Sequence, residues 1–250
     1  MKYNNFNIDG FNILEYEKAN IYLIKNLLDN DFCNNVINII QTVPLKNIKH
    51  FKGNNVECGI ANIDDLINMS DNHYYSFSTN IDKFKKLMYN ANNSLPITSN
   101  LLNGITNNEI NNCKNDIDKY IIKIKKIMKN INEKIVFDYN SGYSLRKITG
   151  STRLHNDGIN TIHESDEITF IKNNNKGNFK AIRNSTLIFS LNDNYDGGIF
   201  NFPYYDISFK LEKGDILIFP PYWTHSHQVS SMEKGTLRYT ITTWTCEKIF

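Results

Sequence analysis

The stretch Leu187-Ile-Phe-Ser-Leu-Asn-Asp-Asn-Tyr-Asp-Gly-Gly-Ile-Phe-Asn-Phe202 decides the fold. It places two short runs of strand formers, Leu187–Leu191 and Ile199–Phe202, on either side of a turn signal at 194–198. The texture repeats downstream. Ile207–Leu211 and Ile216–Phe219 flank the turn Glu212-Lys-Gly-Asp215, and Leu237–Trp244 follows a Lys-Gly turn. Many short antiparallel strands from Tyr143 onward, preceded by helices, predict a mainly β fold with supporting helices. The architecture expected is a double-stranded β-helix, or jelly roll, with the N-terminal helices packed on one sheet.

Outward from this core, Ile117, Tyr120, Ile121, Ile124, Met128 and Ile131 recur at spacings of three and four. That period predicts an amphipathic helix over 114–134 whose apolar face braces a sheet and whose lysines face solvent. A second helix is expected from Asp31 to Val43. Residues 44–110 show Asn, Ser, Gly and Pro punctuation without a period and read as short helices and loops. The segment 159–181 is long and polar, as lids over active sites commonly are. Its His163, Glu164 and Asp166 match no strand parity and read as solvated loop. No internal repeat is visible. A chain of 250 residues can bury one substantial core, so 1–250 reads as a single domain: a support region over 1–142 and a jelly-roll core over 143–250.

Composition excludes more than it assigns. A net charge of +2 and a pI of 8.2 create no strong field, and no basic stripe marks a nucleic-acid surface, so neither nucleic acid nor membrane is an expected partner. The frequent Asn, Lys and Ile read as the imprint of an AT-rich coding sequence. The four cysteines, Cys33, Cys58, Cys113 and Cys246, are too scattered for a disulfide framework or a paired zinc site. With no secretory signal and no apolar stretch long enough to span a bilayer, the expectation is a soluble, intracellular, cytoplasmic protein.

The chemistry is carried by Arg153-Leu-His-Asn-Asp-Gly158. In an extended backbone His155 and Asp157 point to one side, because strand side chains alternate with period two. A further histidine, His227, lies in the apolar-flanked run 219–229, with Arg238 eleven residues beyond it. His225 has the same parity as His227 and is the alternative to it. Two imidazoles and one carboxylate on a single face of an octahedral ion are the ligand set of non-haem Fe(II) oxygenases.

The order of these elements resembles the prolyl 4-hydroxylase-like branch of the 2-oxoglutarate- and Fe(II)-dependent dioxygenases, a cupin-like jelly-roll superfamily. His-x-Asp at 155–157 precedes an Arg183-led strand ending in Leu191-Asn192. Then come Gly197-Gly198 with Phe202, the Lys213-Gly214-Asp215 turn, His227 and Arg238. The likeness is strongest over 143–244, reaches back to Ile21-Tyr-Leu-Ile24 and the helix bearing Cys33, and is faint over 44–110. The family often has a tyrosine before the glycine preceding His-x-Asp; none stands at 146–149, and Tyr143 is the nearest substitute.

The resemblance implies an enzyme that hydroxylates a C–H bond while 2-oxoglutarate is decarboxylated to succinate. His155, Asp157 and His227 would be its catalytic metal ligands. Arg238, Thr240 and Tyr143 would bind the co-substrate, with Fe(II), 2-oxoglutarate and O2 as cofactors and ascorbate as the candidate reductant. The Arg238 strand is expected to return antiparallel beside the one bearing His227. The implied substrate is a prolyl residue in a protein or peptide. A free amino acid or other small molecule is the alternative substrate, a non-catalytic jelly-roll binding module the alternative class. Arg183 reads as substrate-orienting or strand-capping. Gly158 would permit a sharp turn near the metal.

Overall fold

The computed structural model describes residues 3–16, 18–43, 46–49, 57–70, 105–158, 169–173 and 177–248. A hairpin of β1 (Tyr3–Ile8) and β2 (Phe11–Tyr16) leads into β3 (Ile21–Ile24) and helix α1 (Asn30–Thr42). Next come β4 (Lys46–Lys49), β5 (Glu57–Asn62), α2 (Ile63–Ser70) and α3 (Asn107–Lys129). Strands β6 (Tyr139–Asn140), β7 (Ser144–Ile148), β8 (Thr152–His155), β9 (Thr169–Asn173) and β10 (Gly177–Ser190) follow. The chain ends with β11 (Phe200–Phe202), β12 (Ile207–Phe209), β13 (Ile216–Phe219), β14 (His227–Val229) and β15 (Arg238–Lys248).

These strands build two antiparallel sheets. The larger runs β1-β2-β3-β13-β10-β15-β7-β5-β4, with β6 beside β15 and β9 beside β10; the smaller runs β12-β11-β14-β8. Alternation along β10 and β15 divides the apolar residues between two cores. Leu187, Phe189 and Ile241 face the helices and pack with Val36 and Ile40 of α1 and Ile117 and Ile124 of α3. Between the sheets, Ile188 packs with Phe200, Phe202, Leu217, Phe219 and Val229. This is the expected jelly roll with helices covering one sheet.

Both expected helices are present, each with a polar start. Asp29 accepts a hydrogen bond from the Phe32 amide at 2.7 Å, and Thr106 with Glu109 forms a capping box at the head of α3. Not all of the α3 lysines simply face solvent: Lys126 pairs with Asp9 at 2.7 Å and Lys123 lies 4.1 Å from the Phe11 ring centre, tying α3 to the first hairpin. Among the described residues no helix is long and apolar enough to cross a membrane.

Two sequence expectations are corrected. Within 44–110, β4 and β5 are strands that extend the larger sheet beyond β7, not helices or loops. Their sequence lacks alternation, so the pairing of β5 with β7 and of β4 with β5, rather than local pattern, makes them strands. Likewise, the supposed lid over 159–181 contains β9 and the start of β10, paired as a hairpin. Residues 159–168, with His163, Glu164 and Asp166, lie outside the described residues.

The turn between β12 and β13 is held by a buried charge. Asp215 is fully buried, and its carboxylate accepts from Lys25 Nζ at 2.6 Å, the Glu212 amide at 3.0 Å and the Asn26 amide at 3.3 Å. Burial pushes this carboxyl above its ordinary value despite the lysine. Removing the partner of a buried charge costs about 3–5 kcal/mol, whereas an exposed pair is worth about 0–1 kcal/mol. Lys25→Ala should therefore lower the denaturation midpoint strongly. Glu212→Ala, which removes the 63 % exposed carboxylate also paired to Lys25, should barely move it. Equal shifts in chemical denaturation would contradict this ranking.

Candidate active site

The smaller sheet brings the two histidines together. In the antiparallel pairing of β8 and β14, His155 stands directly opposite His227, and their ring centres are 4.4 Å apart. Asp157 follows β8 by two residues, and its Oδ1 lies 3.5 Å from His155 Nε2. One ligand atom from each of His155, Asp157 and His227 falls within 4.8 Å of the others, forming a group able to hold one metal ion.

The donor set fits a divalent ion atom by atom. His155 Nδ1 is 2.8 Å from the Arg153 carbonyl oxygen, and His227 Nδ1 is 3.1 Å from that of His225. A carbonyl only accepts, so each Nδ1 carries the proton and each Nε2 keeps its lone pair for a metal. Phe202 and Phe219 flank the His227 ring at 5.4 and 4.7 Å. That burial pushes His227 down to about 4, so the ring is neutral near pH 7. Burial would also push the Asp157 carboxyl up, but the neighbouring imidazoles and the Thr186 hydroxyl reverse this and hold it well below the usual carboxylate range. For His155 burial favours the neutral ring, but the Asp157 carboxylate outweighs it and raises the value.

Asp157 is fixed from three directions. Thr186 Oγ1 on β10 donates to Asp157 Oδ2 at 2.9 Å, leaving Oδ1 toward the histidines. Arg183 Nη1 donates to the Asp157 carbonyl at 2.6 Å, and the Asp157 amide donates to the Pro221 carbonyl at 3.0 Å. The chain bends at Asp157 and Gly158, as expected, and Gly158 also makes room for that last contact. Its φ is not positive, but a Cβ there would lie 2.8 Å from the Pro221 oxygen. Arg183 thus braces the ligand loop, the structural side of the two readings given to it. Thr186 was missed in the sequence because only the β10 register shows that it meets Asp157.

His225 is not a ligand. Its Nε2 contacts the Ala19 carbonyl at 2.5 Å and its Nδ1 the Thr224 hydroxyl at 2.8 Å, so both ring nitrogens serve the fold. Arg238 and Thr240 are both buried, on the face of β15 that looks into the gap between the sheets. The Arg238 guanidinium lies 4.9 Å from the Phe200 ring centre, and its Nη1 is 3.5 Å from the Gly198 carbonyl. Its strand does not return beside β14. β15 pairs with β10 and β7 in the larger sheet, so Arg238 meets the histidines from across the sandwich. Strands consecutive in a double-stranded β-helix switch sheets, which parity alone cannot show.

Tyr143 is not brought to the site. It is buried in the core under the helices with Leu145 and Ile241, and its hydroxyl donates to Asp118 of α3. The co-substrate role expected of it is withdrawn, because it lies on the opposite face of the sheet from Arg238 and Thr240.

A jelly roll with a two-histidine, one-carboxylate group between its sheets defines a non-haem metal-dependent oxygenase architecture. Residues 143–246 match the 2OG-Fe(II) oxygenase superfamily. This match and the metal-ligand group support a 2-oxoglutarate-dependent dioxygenase with Fe(II), 2-oxoglutarate and O2. The fold is similar to two solved prolyl hydroxylases. One is the viral collagen prolyl hydroxylase of Paramecium Bursaria Chlorella virus-1 in complex with 2OG, with a TM-score of 0.50 and 14 % identity over 91 % of this chain and 96 % of that one. The other, from Trichoplax adhaerens in complex with a hypoxia inducible factor oxygen degradation domain peptide fragment, has a TM-score of 0.52 and 13 % identity over 91 % and 84 %. No curated protein matches the chain.

Second partners of metal ligands typically set affinity by about 10–100-fold. Thr186→Val should weaken ferrous binding by about tenfold, because Asp157 loses the donor that aims it. His225→Ala should lower thermal stability yet leave metal affinity near that of the native protein, while His227→Ala abolishes it. Anaerobic titration with Fe(II) checks all three. Loss of metal in His225→Ala with retention in His227→Ala would reverse the ligand assignment.

Proposed function

We propose that His155, Asp157 and His227 hold the ferrous ion, and that Arg238 with Thr240 receives the far carboxylate of 2-oxoglutarate. The reaction proposed is hydroxylation of a prolyl residue in a protein or peptide. One observation carries the oxygenase site: both histidines are locked by backbone carbonyls with their Nε2 atoms free beside an oriented carboxylate. The prolyl assignment is supported by the prolyl hydroxylase folds that this one is similar to.

Iron and 2-oxoglutarate, when bound, supply the oxidising chemistry: one atom of O2 enters succinate as CO2 leaves, and the other enters the substrate C–H bond. The chain's own residues do the positioning. Arg238 offers a planar fork of donors in a buried gap, where a carboxylate is bound bidentately and with little competition from water. Phe202 and Phe219 keep the His227 side of the centre dry, and Arg183 and Thr186 hold Asp157 so that its free oxygen faces the metal position. Tyr222 and the exposed Trp223 lie in the segment after Pro221 that packs on Gly158, where they offer aromatic surface to a peptide at the ligand loop.

Oxygen uptake should depend on 2-oxoglutarate and release succinate, and proline-containing peptides should gain the mass of one oxygen. Zinc should displace iron without supporting turnover, having no redox chemistry. Arg238→Ala should raise KM for 2-oxoglutarate by at least about 100-fold, the effect of a lost bidentate partner worth roughly 3 kcal/mol, with iron affinity little changed. Arg238→Lys should recover part of that loss. An unchanged 2-oxoglutarate dependence in Arg238→Ala would place the co-substrate site elsewhere. Absence of succinate from folded, iron-replete protein offered a broad substrate panel would favour a binding module.

A further inference from the structure

Arg146 stands opposite Thr240 in the pairing of β7 with β15. Cross-strand partners share a face, so Arg146 points into the gap between the sheets, as Thr240 and Arg238 do. It therefore enters that gap from the β7 side, on the face that looks across to the smaller sheet.

Nothing in the fold explains a guanidinium there. Arg146 forms no ion pair with a described carboxylate, and its Nε is buried without a hydrogen-bond partner. The nearest aromatic ring, Trp244, has its centre 5.8 Å from the guanidinium carbon, while Arg183 lies over that ring at 4.0 Å. Arg183 differs in having a structural task, the bond to the Asp157 carbonyl. Asp157 is the acidic member of the metal-ligand group, and it is occupied by Thr186 and by the ligand position. A buried donor without a partner costs about 1–3 kcal/mol, a cost a fold keeps where a ligand removes it.

In the site proposed above Arg238 with Thr240 receives the far carboxylate of 2-oxoglutarate, and the near one, a hard oxygen donor, would be met by the ferrous ion. An anion matched to Arg146 must then come from the other reactant. We propose that Arg146 recognises a carboxylate of the substrate, so that the hydroxylated C–H bond lies within a few bonds of an acid group. This rests on the preceding assignment of the pocket. Two sources share the chemistry: the α-carboxylate of a free amino acid, or an acidic side chain next to the target residue in a peptide.

The test uses whole protein loaded with Mn(II) and 2-oxoglutarate in the absence of oxygen, so that binding is read without turnover. Ligand-observed NMR compares free amino acids with their C-terminal amides, and amidated peptides Gly-Pro-Glu-Gly with Gly-Pro-Gln-Gly. The native protein should prefer the acid member of at least one pair by about tenfold, as expected for a charge-assisted bidentate contact. Which pair shows the preference identifies the source. Arg146→Gln should abolish the preference and keep the 2-oxoglutarate Kd within about twofold, and Arg146→Lys should restore part of it.

Equal binding of acid and amide by the native protein, or a preference that survives Arg146→Gln, overturns the proposal. So does a roughly tenfold loss of 2-oxoglutarate affinity in Arg146→Gln, which would give the guanidinium to the co-substrate. Failure of the native protein to bind 2-oxoglutarate at all would instead remove the pocket assignment on which the proposal stands.

Discussion

A carboxylate kept ionised inside a β-sandwich is the constraint around which this site is organised. Desolvation alone would protonate Asp157, and a neutral acid is a poor metal ligand. The protein opposes that with two imidazoles and one hydroxyl within reach, and with backbone contacts that fix the loop on both sides of the side chain. These come from three strands, β8, β10 and β14, and from the turn at Pro221. The β8–β14 pairing, the register of β10, the approach of Pro221 and the absence of a side chain at 158 are therefore all conditions for one ionised oxygen in one place.

The two sheets divide the work. The smaller sheet supplies both histidines from one cross-strand pair, while the larger supplies Thr186, Arg183, Arg238, Thr240 and Arg146 from three adjacent strands. Helices α1 and α3 bury the opposite face of the larger sheet from the one on which the positioning side chains project. A site assembled across a gap between packed layers is precise because strands, unlike loops, leave side chains few orientations.

What the sequence disclosed, and what it concealed, follows from the range of the interactions involved. The strands from Leu187 to Phe219 were readable because alternation and the turns at 194–198 and 212–215 are local. His155 and Asp157 were readable as a spaced pair, although β8 ends at His155 and Asp157 stands in the bend beyond it, and His227 was readable through its place in a motif. The hairpin of β1 and β2 was not, because its Asn-rich residues carry little strand signal and it is made a strand by pairing with β3. The same holds for β4, β5 and β9. Tyr143 was misplaced because three residues from Arg146 along a strand means the opposite face. Thr186 and Arg146 needed a register between strands far apart in the chain, which no local pattern encodes.

β8 is the outermost strand of the smaller sheet. Among the described residues it is paired on one side only, with an irregularity in its register against β14 and with Leu154 half exposed beside His155. Unpaired strand edges invite other chains to add to them. Here the two histidines that meet across the β8–β14 pair would be joined by the ion they share, which turns a weak boundary of the sheet into a cross-linked one. An ion held there would therefore bear on how copies of the chain meet as well as on chemistry, because it would tie this border to the strand beside it.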